Sequence, residues 1–358
     1  MDDSLRRSIA KPSKARNIIV FVVLGLLLVA FFFLGLVVGS SNMSIGESLA
    51  ALFGNGTNSA VRIVQMIRLP RVIAAAVAGG GLAIAGLIMQ TNLGNDMASP
   101  STLGVSNAAV FGANVAIIGF AGEYLSSSQN VADYVANANP FSTSAFAFLF
   151  ALASVLLVLG LSRIARFDPS TIVLAGIGIG AIWTAATTLL QYTATDVGLS
   201  AAVIWSFGDL GRATFLNDWI MLGVVGVATI LFILLSWRYN AMLSGDEVAG
   251  SLGLKTGVLR VFSLILASLI TAVIISFLGI IGFVGIICPH LAKRLLGFNH
   301  QKTIPASLLL GGVLVLGADT LTRAIANGAA FPIGAVTSLL GAPFFLYLII
   351  AKRSARHD

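Results

Sequence analysis

Residues 17–46, NIIVFVVLGLLLVAFFFLGLVVGSSNMSIG, run without a single Asp, Glu, Lys or Arg. A bilayer hydrocarbon core about 30 Å thick is crossed by roughly 20 residues of helix, and Ile18–Val38 supplies that length. Further charge-free windows lie at 72–95, 97–122, 134–162, 169–195, 219–237, 261–292, 303–318 and 324–351. The window 261–292 is too long for one helix. Gly279, Gly282 and Gly285, just past its middle, predict a tight helical hairpin there. The window 303–318 continues past Asp319 to make a full span. The reading is therefore ten spans, at about 18–38, 70–90, 101–120, 144–164, 171–193, 217–237, 259–279, 281–296, 304–326 and 333–351.

The composition agrees. Of 358 residues, 57% are hydrophobic and 10% charged, against about a quarter charged in a soluble domain. Mean hydropathy is +0.97. No water-soluble fold buries so large an apolar fraction, so the surroundings are lipid. This excludes a soluble enzyme, a nucleic-acid-binding domain and a disordered chain. The expectation is an all-α integral membrane protein. It has a basic N-terminus at 1–16, a ten-helix domain at 17–351 and a basic tail at 352–358.

Ten spans put both termini on one side. Arg6, Arg7, Lys11, Lys14 and Arg16 precede the first span, and Lys352, Arg353 and Arg356 follow the last. Arg163 and Arg166, then Arg238, Lys255 and Arg260, then Lys293, Arg294 and Lys302 fall in loops on the same side. Sixteen of the 21 Lys and Arg thus share one face, which the positive-inside rule makes cytoplasmic. No small-residue cleavage site follows the first apolar run, so it reads as a retained span. The expected address is the bacterial cytoplasmic (inner) membrane.

The five remaining cations are Arg62, Arg68, Arg71, Arg212 and Arg323, on or near the outer face. They read as a docking surface for an acidic partner, or as interfacial snorkelling and local ion pairs. Asp319 stands one helical turn before Arg323, so an internal pair is available. The Arg68-Leu69-Pro70-Arg71 run places two cations at the mouth of a helix, partly exposed, where a counter-charge is needed. The outer loops are modest: an amphipathic stretch around Glu47, a polar loop at 121–143, and a short interfacial helix within 194–216.

Several chemistries are absent. No Lys follows a Gly, so there is no phosphate-binding P-loop and no nucleotide hydrolysis by that route. Gly176 and Gly180 are spaced as a small-xxx-small pair, which lets transmembrane helices approach closely. Cys288 stands alone, and His290, His300 and His357 are not spaced as a metal site. Asp319 is the one carboxylate placed within a span, too little ionisable chemistry for an ion-coupled carrier. On the cytoplasmic side, the loop Ser244–Leu254 carries Gly245, Asp246 and Glu247, then Ser251, Leu252 and Gly253. It reads as two short helices broken at Gly253, with acids at a helix N-terminus, shaped to enter a partner's groove.

These residues carry a resemblance. Arg68-Leu69-Pro70-Arg71, Gly86-Leu87-Ile88-Met89-Gln90, Asn95-Asp96-Met97-Ala98-Ser99-Pro100 and Leu103-Gly104-Val105-Ser106 resemble the FecCD-type permeases. Gly245-Asp246-Glu247, Gly282-Phe283-Val284-Gly285 with Pro289-His290, Ala318-Asp319 with Arg323, Pro332-Ile333-Gly334 and Gly341-Ala342-Pro343-Phe344-Phe345 agree, in order, over roughly residues 40–351. Such proteins are the membrane subunits of ABC importers for iron–siderophore complexes, haem and vitamin B12. The resemblance implies the vitamin B12-importer (type II) permease fold. It implies a second permease subunit, two separate ATPase subunits that use ATP and Mg, and an external solute-binding protein. No cofactor is expected on this chain itself. It implies that Gly245–Leu254 couples to the ATPase and that Arg68, Arg71 and Arg323 meet acidic residues of the binding protein. It places the cytoplasmic gate at Pro169, Ser170 and Thr171. Gly176, Gly180, Gly334 and Gly341 then lie on the fifth and tenth spans, which line the pathway. Iron–siderophore is the expected cargo, with haem or vitamin B12 as alternatives; an ion-coupled carrier or an exporter fits less well.

Overall fold

The computed structural model describes residues 14–39, 43–120, 140–164, 167–325 and 331–354. The predicted features at Arg6, Arg7, Lys11, Arg166 and Arg356, and most of the 121–143 loop, lie outside the described residues. Regular structure among the described residues is helical throughout. The order is α1 (Lys14–Val37), α2 (Ile45–Leu52), α3 (Asn58–Asn92), α4 (Val105–Phe120), α5 (Pro140–Ser162), α6 (Pro169–Tyr192) and α7 (Asp196–Ser206). Then come α8 (Phe215–Leu234), α9 (Ser236–Met242), α10 (Asp246–Ser251), α11 (Thr256–Leu278), α12 (Val284–Leu296), α13 (His300–Ile325) and α14 (Ile333–Ser354).

Seven of these, α1, α3, α5, α6, α8, α11 and α13, are long and apolar enough to cross a membrane. The shorter α4 and α12, with α14, fall on the other three predicted spans. Helices begin where a side chain takes up an amide that would otherwise lack an acceptor. Ser44, Thr57, Asp168, Thr195 and Thr214 each accept a backbone N–H from the first turn.

The core is built around α3, which is buried along most of its length and packs against α13, α11, α12 and α8. Small residues make this possible. A Cβ at Gly79 would collide with the backbone of Gly311 on α13, and one at Gly86 with Gly285 on α12. Helix axes approach this closely only where neither side carries a side chain. By contrast α1 presents Ile18, Leu26 and Val29 outward, the apolar face a lipid environment accepts.

Two expectations are corrected. The second span, read as 70–90, is the C-terminal part of a 35-residue helix. Its start moves back to Asn58 because a six-residue π-helical stretch, Ile63–Arg68, carries the helix across the Arg-rich segment. The loop 244–254 holds one short helix, α10, and not two. Gly253 turns the chain with φ of +82°, and α11 starts at Thr256, leaving no room for a second. The predicted break near 280 is present: α11 stops at Leu278, Gly279 has φ of +76°, and α12 starts after Phe283.

At that break the non-helical segment 207–209 joins the end of α11 and the start of α14 by backbone bonds. Asp209 N donates to Leu278 O at 2.7 Å, Ile333 N to Gly208 O at 3.1 Å and Gly334 N to Phe207 O at 3.2 Å. Irregular backbone at membrane depth must be satisfied within the protein, and these bonds do that.

Candidate functional site

Two polar clusters sit toward opposite ends of α3. Arg71 and Asn92 are 21 residues apart, about 32 Å at 1.5 Å per residue, close to a bilayer's hydrocarbon thickness.

At the first end, Asp319 on α13 is 1% exposed and lies between two guanidiniums. Arg71 Nε and one terminal nitrogen donate to Oδ1 at 3.0 and 2.7 Å. Arg323 Nε donates to Oδ2 at 3.0 Å, and its terminal nitrogen lies 2.8 Å from the same oxygen. The i, i+4 pair expected from spacing is thus joined by a second arginine from α3. Arg323 also donates to the Gly35 and Val38 carbonyls, at 2.9 and 2.5 Å. Arg68 donates to Leu36 O and Val37 O at 2.7 and 2.8 Å. Two arginines therefore take up the orphan carbonyls at the C-terminal end of α1, where partial negative charge favours cations.

This changes the expected exposure. Arg68, Arg71 and Arg323 are 4%, 8% and 4% exposed, not partly exposed at a helix mouth. The reason is that α3 begins before them and that α1 and α13 supply acceptors on both sides. Arg212 at the same end is anchored too, donating to the Trp205 and Ile204 carbonyls at 3.1 Å each. It borders an apolar cavity of about 390 Å³ between α7, α5 and the start of α8.

At the other end, Gly245 precedes α10 with φ of +98° and open space where a Cβ would sit. Asp246 is bound by Arg260 through both carboxylate oxygens, at 2.9 and 2.8 Å. Glu247 is exposed, as are Val248 and Leu252; Ser251 Oγ donates to Val248 O at 2.8 Å. Gly253 N closes the turn onto Gly250 O at 2.9 Å. The result is a short helix that presents an acid and two apolar side chains, held to the body by one ion pair. Beside it, Leu252, Val258 and Trp237 border a groove of about 710 Å³.

Pro169, Ser170 and Thr171 form the first turn of α6. Asp168 caps it, accepting from Thr171 N at 3.0 Å and from its hydroxyl at 3.3 Å. The glycine pair singled out by spacing, Gly176 and Gly180, and the two named by the resemblance, Gly334 and Gly341, all sit at close approaches. A Cβ at Gly176 would strike the Thr102 carbonyl, and one at Gly180 would lie 3.2 Å from Asn107 Nδ2. A Cβ at Gly334 would meet the carbonyls of Ile280 and Phe207, and one at Gly341 the side chain of Phe283.

Some residues were not foreseen. Asp218, at the start of the predicted span 217–237, is in the first turn of α8 and 3% exposed, so Asp319 is not the one carboxylate within a span. Thr214, the N-cap, was the signal available. Lys293 on α12 reaches Asp96 and Gln90, each at 2.9 Å. His300 is held between Thr91 at 2.8 Å and Asn240 at 2.9 Å, a bridge between α3, α9 and the start of α13. Among the described residues no group of three His, Cys, Asp or Glu could hold a metal.

With this geometry the chain is similar to known proteins over nearly its whole length. It is 42% identical to an ABC transporter permease of Methanocaldococcus jannaschii, covering 92% of this chain and 94% of that one. It is 34% identical to the hemin transport permease HmuU of Yersinia pestis, covering 94% and 97%. It is 33% identical to the iron(3+)-hydroxamate import permease FhuG of Bacillus subtilis, covering 95% and 99%. A solved inward-facing metal-chelate type ABC transporter superposes with a TM-score of 0.77 at 26% identity, covering 93% and 99%. The model of the FecCD transport family matches residues 27–351. The chain therefore belongs to the FecCD family of ABC-importer permeases.

Proposed function

We propose that this chain is the membrane permease subunit that moves an iron(III)–siderophore complex into the cytoplasm. It works with a second permease subunit, two ATPase subunits and an external solute-binding protein. The observation that carries the reading is α10, a short helix with an acid and two apolar side chains exposed and an ion pair at its root. Glu247, Val248 and Leu252 of this projection are left exposed by the chain itself. The projection suits a cleft on a partner that supplies the energy, and this chain has no phosphate loop of its own.

The other end answers a different partner. Arg71 and Arg323 hold one buried carboxylate between them, and Arg68 stands at the same end on the carbonyls of α1. Acidic residues on a binding protein would meet that excess of positive charge, in competition with Asp319 for Arg71 and Arg323. The 169–171 turn would be the cytoplasmic gate, and α6 and α14 the walls of the passage. The arginine end then faces outward and α10 faces the cytoplasm, with both termini on the cytoplasmic side. ATP binding shifts the permease between outward and inward states, and each ligand shifts that equilibrium only by its difference in affinity for the two.

The relatives carry haem as well as hydroxamate-bound iron, and the test is arranged around that. The transporter reconstituted with its ATPase and binding protein is offered ferric hydroxamate, ferric catecholate, haemin and cobalamin. Saturable, ATP-dependent uptake of a ferric siderophore is expected. Uptake of haemin or cobalamin alone would overturn the cargo, and uptake driven by an ion gradient without ATP would overturn the whole reading.

A further inference from the structure

Arg260, near the start of α11, spends its guanidinium on three separate segments. Nε donates to Asn92 O at the end of α3, at 2.7 Å. One terminal nitrogen donates to Phe167 O, in the turn before α6, at 3.1 Å. The other holds both oxygens of Asp246, the first residue of α10, at 2.9 and 2.8 Å. The side chain is 5% exposed, whereas that of Asp246 is 47% exposed. A planar fork committed in this way cannot follow one partner without pulling on the others.

The Phe167 end carries a second, independent sign of constraint. Phe167 has φ of +60°, a left-handed conformation that a bulky residue keeps only when its surroundings enforce it. Its amide is bound to Ser162 O at 2.9 Å, its ring packs on the core, and its carbonyl takes the arginine. Asp168, which caps α6, is the next residue, and Pro169 the one after. Displacement of Asp246 thus acts, through one buried group, on the strained residue that sets the direction of the α6 turn.

We propose that Arg260 is a positioning residue that makes α10 and the turn before α6 move together, so that motion of the ATPase-facing helix reaches the gate. This rests on the proposed roles of α10 and of residues 169–171. On the α10 side the link is the Asp246 carboxylate; on the gate side it is the Phe167 backbone carbonyl, with no gate side chain taking part.

The test is a distance measurement between spin labels at Ser170→Cys and Ser251→Cys, in the Cys288→Ala full-length chain in nanodiscs. One narrow distribution is expected. Arg260→Gln should broaden it, Asp246→Asn should broaden it in the same way, and the two together should add nothing further. Arg260→Lys should not restore it, because one ammonium cannot span three segments. A second pair, Ser59→Cys with Ser200→Cys at the far end, should stay narrow in every variant. Should Arg260→Gln fail to fold, Asp246→Asn alone decides. An unchanged 170–251 distribution overturns the link, as does equal broadening of the far pair, which marks a general loss of packing. Neither ATPase nor nucleotide is needed, so failure here is separate from failure of α10 as a docking element. That is read by cross-linking Ser251→Cys to the ATPase.

Discussion

Asp319→Asn should be among the most damaging isosteric changes in this chain. The carboxylate is 1% exposed and takes four guanidinium contacts between 2.7 and 3.0 Å. Asparagine keeps the shape, removes the charge and turns one acceptor into a donor facing donors. Removing one partner of a buried pair leaves the other charge uncompensated, at a cost of about 3–5 kcal/mol. That is about two to three-and-a-half powers of ten in the folded-to-unfolded ratio, at roughly 1.4 kcal/mol per tenfold. Two features pull the value toward the lower end: Arg323 keeps the Gly35 and Val38 carbonyls, and Arg71 lies beside the Asp209–Gly211 turn. The assay is unfolding of the purified chain in mixed micelles titrated with SDS. Adding Arg71→Leu to Asp319→Asn should recover part of the loss, since one orphaned charge disappears with it. A loss under about 1 kcal/mol, the range of an exposed pair, would refute the claim that Asp319 holds the arginines.

Four further outcomes are expected. Gly253→Pro requires φ near −65° where the chain has +82°, and it removes the Gly253–Gly250 bond; ATP-driven uptake in proteoliposomes should fall to background with membrane insertion intact. Impermeant thiol reagents should label Ser59→Cys only from outside and Ser251→Cys only from inside, in the Cys288→Ala background; the reverse pattern inverts the topology. Binding-protein affinity should drop as salt rises, because the contacts proposed at the arginine end are electrostatic; a flat salt response removes that role. The hydrogen bond that the Ser44 backbone N–H donates to Glu47 Oε2, 2.8 Å long, holds the Glu47 carboxyl below its ordinary pKa. A lowered folded-state value means this capping box contributes above the unfolded pKa and is lost as pH falls through the folded one. Exchange protection of the Ser44 amide, relative to its intrinsic rate, should fall in that acid window and lose its pH dependence in Glu47→Gln.

The architecture was legible because lipid imposes a simple rule: each span needs its own uncharged stretch, and each loop needs an excuse to be charged. The break after Leu278 was legible for a similar reason, since Gly279, Gly282 and Gly285 crowd into a window too long for one helix. The glycine pair at 176 and 180 was legible from spacing alone. The polar clusters were not. Arg260 was counted only as a cytoplasmic charge, because two of its three partners are backbone carbonyls 168 and 93 residues away. Every residue has a carbonyl, so sequence carries no mark of which one is used.

There is nevertheless a physical pattern behind both clusters. α1 and α3 end without a basic residue in their last turn, so their terminal carbonyls have no local cation. In water such groups would be hydrated; against apolar neighbours they must be bonded within the protein. At the end of α1 the donors are Arg68 and Arg323, and at the end of α3 the donor is Arg260. Each comes from another helix, buried where an unpaired cation would be costly. The helix end and the arginine solve each other's desolvation. A long apolar helix ending with no basic residue of its own, near spans that carry isolated arginines, is therefore a sequence-level sign of such a junction. At both ends here an arginine does more than cap: Arg323 is tied to Asp319 and Arg260 to Asp246. Neutralising the acid leaves the cap bonds in place but frees the cation to move. Asp319→Asn and Asp246→Asn should consequently loosen opposite ends of the same helix, α3, and their effects should be additive because about 30 Å separates them.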